Sequence, residues 1–174
     1  IHAQGAYAIS IHLLFPISSK YNCWRELAGA FFCVEGDTQA VEVFVPLLRG
    51  LGLQVHTISP ESKAQYHLSC ALASNFVCAL VQRSAELLSG CGFSETDALH
   101  ALAPLMRSNL AHVIEHGAVS ALTGPIERGD TQTVQKHLSC LTERDDRQLY
   151  ALLGLEQVKM AQEKHPEQDY GTLA

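Results

Sequence analysis

The sequence predicts an α/β segment followed by an all-helical one, and three observations carry that division. Short β-like runs are confined to the first 60 residues. A helical pattern joins two of those runs within about 30 residues, the length of a βαβ unit. From Glu61 onward every apolar pattern repeats with helical period.

The first β-like run is Tyr7 to Leu13, and the second, Ala30 to Glu35, ends at the turn-forming Gly36-Asp37. The third is Leu53 to Ile58, closed by Ser59-Pro60. Between the second and third, Thr38 to Leu51 places Val41, Phe44, Val45 and Leu48 on one face of a helix that Gly50 and Gly52 stop. The flanking strands should therefore be parallel and joined by a right-handed crossover. No GxGxxG occurs, nor any strand running through a Gly-rich turn into a helix. Three strands make a poor doubly wound sheet, so if the sheet is a Rossmann sheet its first half is expected outside this chain.

Glu61 to about Ser89 reads as one long helix, roughly 40 Å at 1.5 Å per residue. Leu68, Leu72, Phe76, Val77, Leu80 and Val81 nearly circle it, which predicts a central helix buried on most sides. Ser94, with Asp97 three residues on, caps the next helix, which runs to Gly117 and which Pro104 should kink. A short helical piece and the loop Thr123-Gly124-Pro125 follow. Asp130 caps a helix carrying Val134, Leu138 and Leu141, and a last helix from about Asp146 to Lys164 leads to a polar tail. The expected domains are residues 1–60 and 61–174.

Composition narrows the function. The 174 residues are 47% hydrophobic and 17% charged, with a net charge of −6 and no concentration of Lys and Arg. That balance argues against nucleic acid or an anionic membrane as the main partner. The longest apolar run, Leu68 to Val81, is short for a bilayer span, and the N-terminus lacks a signal-peptide pattern. The chain begins without Met, so a removed tag or a start inside a longer protein is expected. None of the six cysteines (Cys23, Cys33, Cys70, Cys78, Cys91 and Cys140) forms a CxxC pair. Buried free thiols in a reducing compartment, and hence a cytoplasmic protein, are the expectation.

Ser10 and His12 end the first strand, where open α/β sheets bind ligands; the plainer alternative is a histidine that only packs. On the long helix Lys63, His67, Ala71, Ser74 and Cys78 share one stripe, flanked by Tyr66 and Asn75. Polar groups on an apolar helix are costly unless paired, so they should line a cleft near the sheet or bond neighbouring backbone. His112 and His116 have metal-ligand spacing, but no third ligand is evident, and no metal is expected. Asp130 of Arg128-Gly129-Asp130 reads as a helix cap and Arg128 as an anion or carboxylate partner.

Three segments together carry a family resemblance. They are Gly5-Ala6 with Ser10-Ile11-His12; Lys63 through Tyr66-His67 to Ala73-Ser74-Asn75; and Ala121 through Asp130 with Thr133-Val134 and His137-Leu138. They resemble Rossmann-like NADP-dependent oxidoreductases of unassigned substrate, a group similar to pyrroline-5-carboxylate reductase and, more distantly, to ketopantoate reductase. The resemblance covers almost the whole chain, as the back half of a longer protein. It implies a three-stranded βαβ remnant of a Rossmann domain followed by a helical dimerisation domain of the 6-phosphogluconate-dehydrogenase C-terminal type. It also implies an interleaved homodimer with the active site between the two domains. On that likeness Ser10 and His12 lie near the nicotinamide, Tyr66, His67, Ser74 and Asn75 face the substrate, and Thr123 to Asp130, with Thr123 and Arg128, closes the far side. Two departures stand out: the family usually has Pro after the strand histidine, where this chain has Leu13, and the dinucleotide fingerprint is absent.

The expected function is an NAD(P)-dependent oxidoreductase, or its C-terminal fragment, passing hydride between a nicotinamide and a small carbonyl or imine substrate. His67 is the candidate proton donor and Asn75 the group that orients the substrate. NADP is expected of the full-length protein, without tight binding by this chain. The competing expectation is a non-catalytic helical dimerisation module without an intact cofactor site.

Overall fold

The protein is described by a computed structural model covering residues 2–17, 20, 21, 27 and 29–173. Cys23, one of the six cysteines, lies outside the described residues. The chain divides into two compact units, residues 1–84 and 85–174.

The first unit holds a three-stranded sheet in the order β1 (Ile9–Leu13), β2 (Phe31–Gly36), β3 (Gln54–Thr57). Helix α1 (Thr38–Gly50) connects β2 to β3, which pair in parallel, so the βαβ unit forms as its periodicity predicts. Cys33 and Val34 are neighbours on β2, point to opposite faces, and are both buried; both faces of that strand are therefore covered at its middle. Ala40 and Val45 supply the buried residues of α1, while Phe44, expected on the same face, is exposed.

β1 runs antiparallel to β2, with His12 opposite Cys33 and Ser10 opposite Glu35. This corrects the reason for singling out His12: its end of β1 lies beside the start of β2, not at the carboxyl edge of a parallel sheet. The far end of the pair is clasped tightly. Asp37 N–H donates to the Ala8 carbonyl at 2.8 Å, and Ala8 N–H donates to the Asp37 carboxylate at 2.6 Å. Gly36 sits there at φ +146, and a Cβ on it would fall 2.3 Å from the Ala8 oxygen, so glycine alone fits.

The single long helix expected over 61–89 is instead two. A 3-10 turn, Pro60–Ser62, leads into α2 (Lys63–Ala73); Ser74 breaks the helical dihedrals at φ −124, ψ −71; and α3 follows (Asn75–Ser89). Nor does the chain bury this stretch. Leu68, Leu72, Phe76 and Val77 are each about half exposed. Pro60–Ser89 reaches a mean hydropathy of 1.2 and by length and composition alone would suffice to cross a bilayer, an apolar extent that the run Leu68 to Val81 understated.

The second unit takes in the end of α3, then α4 (Glu95–His116), α5 (Ala118–Ala121), α6 (Thr131–Cys140) and α7 (Arg144–Lys164). Its caps are those the sequence predicts. Ser94 Oγ accepts from Asp97 N–H at 3.1 Å, and Asp130 accepts from Thr133 N–H at 3.0 Å. Gly117, at φ +84, ends α4, and Pro104 lies inside a continuous helix. The core consists of Ile126, Val134, Val158, Ala161 and Tyr170, with Leu122, Leu138, Tyr150 and Leu173 packed against it.

Tyr170 overturns the expectation of a polar tail after Lys164. It is buried, and its hydroxyl donates to the Glu127 carbonyl at 2.6 Å. The Glu127 side chain meets His165 at 2.8 Å and Lys164 at 3.2 Å, and Lys164 also donates to the Leu122 carbonyl at 2.7 Å. The hydrogen bond from His165, with the Lys164 ammonium behind it, holds the Glu127 carboxyl below its ordinary range. The loop that carries the family resemblance is thus fastened by the segment after α7.

The thiols also differ from expectation. Cys33 is buried and Cys70 half-buried, but Cys78, Cys91 and Cys140 are exposed.

Candidate functional site

The site lies within the first unit, where α2 passes alongside β1 and β2. Ser10 and His12 point to one face of β1, and their partners Glu35 and Cys33 to the same face of β2. Two residues of strand advance about 6.6–6.8 Å, close to the rise of one helical turn. The rows therefore meet successive turns of α2. Lys63 Nζ bonds Ser10 Oγ at 3.2 Å and pairs with the Glu35 carboxylate. One turn on, the Tyr66 hydroxyl bonds His12 Nδ1 at 2.6 Å. The His12 and His67 rings lie edge to face with centroids 6.4 Å apart.

Beyond these contacts opens a cleft of 340 Å³. Its polar lining is His12, His67, Cys70, Ser74 and Asn75, and its apolar lining is Leu13 to Pro16 with Ala71 and Ala73. The break at Ser74 serves this site, since it turns Ser74 and Asn75 onto the cleft wall at the end of α2. The lining contains no Lys, Arg, Asp or Glu among the described residues.

Beside the cleft a thiol and a phenol are held protonated. Burial, reinforced by the neighbouring Cys70 thiol, raises the Cys33 thiol above its ordinary value. Burial, together with hydrogen bonding to Cys70, pushes the Tyr66 phenol well above its ordinary value near 10. Tyr66 is therefore a neutral phenol at physiological pH. Cys33 and Cys70 were not singled out by the sequence reasoning. Cys70 could have been, because it lies three and four residues from His67 and Tyr66 on one helical face. Cys33 needed the strand register.

Among the predicted site residues, the structure brings Ser10, His12, Tyr66, His67, Ser74 and Asn75 to this one region. Thr123 and Arg128 belong to the second unit. Thr123 lines a separate groove there with Leu105, Met106 and Met160, and Arg128 is exposed beside Asp130. The His112 and His116 rings stack edge to face at 4.6 Å, and no cluster fit to hold a metal occurs among the described residues.

A dinucleotide pyrophosphate finds no matching cradle in the described residues. The turn from β2 to α1 places the Asp37 carboxylate at the helix start, and Gly36 is filled by the Ala8 backbone; the connection from β3 to α2 runs through the Pro60–Ser62 turn, which carries Glu61. A carboxylate there repels a phosphate rather than holding it.

A Rossmann-like α/β fragment joined to a helical part is the class of protein these elements define. Residues 30–157 match the model of a domain of unknown function, DUF2520, and the chain belongs to that family. No curated protein matches. Protein TM1727 from Thermotoga maritima has a similar structure, with a TM-score of 0.74 and 25% identity over 90% of this chain and 62% of that one. The putative NADP oxidoreductase BF3122 from Bacteroides fragilis superposes with a TM-score of 0.62 and 23% identity, over 75% of this chain and 49% of that one. The chain therefore spans about half to three-fifths of the length of these neighbours.

Proposed function

We propose that this chain is the substrate-side part of an NAD(P)-dependent oxidoreductase acting on a small carbonyl or imine compound. The observation that carries the reading is the convergence of His12, His67, Ser74 and Asn75 on one cleft whose described lining is uncharged. The Bacteroides neighbour, a putative NADP oxidoreductase, adds NADP and oxidoreduction through a likeness of fold. In this reading the cofactor supplies the hydride. The chain's own residues bind and orient the substrate through Asn75 and Ser74, exclude water with Leu13 to Pro16, and hold a proton at His67. Ser10 and His12 lie toward the nicotinamide. The domain division at about residue 60, the helical domain of the 6-phosphogluconate-dehydrogenase type, the likeness to pyrroline-5-carboxylate reductase and a cytoplasmic location belong to the same reading.

The pyrophosphate anchor must then lie outside the described residues. Calorimetry of NADPH with this polypeptide should accordingly show no binding at micromolar concentrations. Micromolar or tighter binding would mean that the turn after β2, or another element here, holds phosphate after all.

The second reading, a helical dimerisation module, is favoured by one observation and is compatible with the first. Leu68, Leu72, Phe76, Val77 and Leu80 leave α2 and α3 apolar and exposed. An apolar face of this extent resembles a core cut in half, the usual form of an obligate interface. We take its cover to be a second copy of the chain. Sedimentation at micromolar concentration should give a homodimer, and a compact monomer would remove the dimer from the proposal.

A further inference from the structure

The contact between His12 and Tyr66 has a direction. The two share one hydrogen bond, at 2.6 Å, between Nδ1 and the phenolic oxygen. A phenol is a far stronger acid than a neutral imidazole N–H, and an imidazole nitrogen is a stronger base than a phenolic oxygen. O–H···N is therefore the favoured polarity. Burial keeps Tyr66 protonated, so its hydroxyl has a proton to give.

We infer that Tyr66 donates its hydroxyl proton to Nδ1 of His12 and so holds His12 in the Nε2–H form, making it a fixed neutral donor for an acceptor oxygen of the ligand, as in a ketone or aldehyde. Tyr66 is then a positioning residue, and His12 the group that meets the ligand. Which nitrogen carries the proton is set by the bond the other one makes. The ligand class follows from the donor and from the wall that the described residues make. Lys63, beside the site, is engaged by Ser10 and Glu35, and among the described residues no charged side chain lines the cleft. A ligand carboxylate would find no counter-charge among them. A protonated imine would offer no lone pair to Nε2–H and would meet no carboxylate. A neutral carbonyl oxygen satisfies the donor without either cost, and Leu13 to Pro16 accept the apolar remainder.

The ligand half of this inference rests on the reading of the cleft as a substrate site; the tautomer half does not. Nitrogen-15 NMR of the histidine-labelled chain, at about pH 8.5 where an ordinary imidazole is neutral, reads the tautomer without cofactor or turnover. His12→Gln identifies the His12 signals by their loss. The wild-type chain should show His12 about tenfold or more in favour of Nε2–H. Tyr66→Phe, which keeps the ring, should let the two tautomers approach the ratio of a solvated imidazole. An Nδ1–H form in the wild type, or a ratio untouched by Tyr66→Phe, overturns the tautomer assignment. Cyclohexanone should then shift the His12 Nε2 resonance, and N-methylpyrrolidinium, a cation of similar size, should not. A ketone without effect, or a cation with equal effect, overturns the ligand class. Neither result depends on whether NADPH binds or reacts, so failure of the oxidoreductase reading is seen separately.

Discussion

Replacing Tyr170 with alanine should lower the melting temperature of the chain by at least about 12 °C. Tyr170 is 1% exposed and packs into the core of the second unit. Truncating a large buried aromatic to alanine costs about 3–5 kcal/mol through lost burial and the cavity left behind. For a unit of this size each kcal/mol moves the midpoint by about 4–8 °C. Tyr170→Phe keeps the ring and loses the bond to the Glu127 carbonyl, which is worth about 1 kcal/mol. Thermal melts should therefore rank wild type above Phe and Phe well above Ala. An alanine variant melting within a few degrees of wild type would show that the segment after α7 contributes little to the core.

In the whole protein, His67→Ala should lower turnover about 10²-fold or more, the lower range of general acid–base catalysis. The residue is exposed at the cleft and makes no core contact, so the same variant should melt within a degree or two of wild type. Steady-state kinetics with saturating substrate separates the two effects. A turnover number within a few-fold of wild type would remove His67 from the chemistry and leave it a lining residue.

What the sequence made legible was mostly local. Val41, Val45 and Leu48 repeat with the helical period, and α1 forms between two parallel strands as a result. Ser94 and Asp130 are short polar side chains placed just before helical runs, and both cap. The stripe of polar residues on α2 was also visible, because a helix of known period fixes which side chains share a face. Pairing between distant segments was not legible in this way. Nothing in Tyr7 to Leu13 says whether it lies parallel or antiparallel to β2, so the cleft beside His12 was reached through the wrong edge of the sheet. Ser74 has no glycine or proline beside it to mark the break between α2 and α3. Tyr170 sits among Asp169, Gly171 and Thr172, a composition that reads as solvated until Glu127 and the core of Ile126 and Val134 are placed against it.

The division at Ser84–Ala85 falls inside α3 rather than in a connecting loop, and Ala85 is itself buried. A cut at that division therefore falls within a helix. A fragment begun at Ala85 would open in mid-helix, with its first four amide groups stripped of the carbonyls that now receive them. A fragment begun at Ser59-Pro60 would keep a proline-led helical start, but would carry α2 away from the strands that Lys63 and Tyr66 grip. A cut at either of these two places must therefore give up a helix or the cleft.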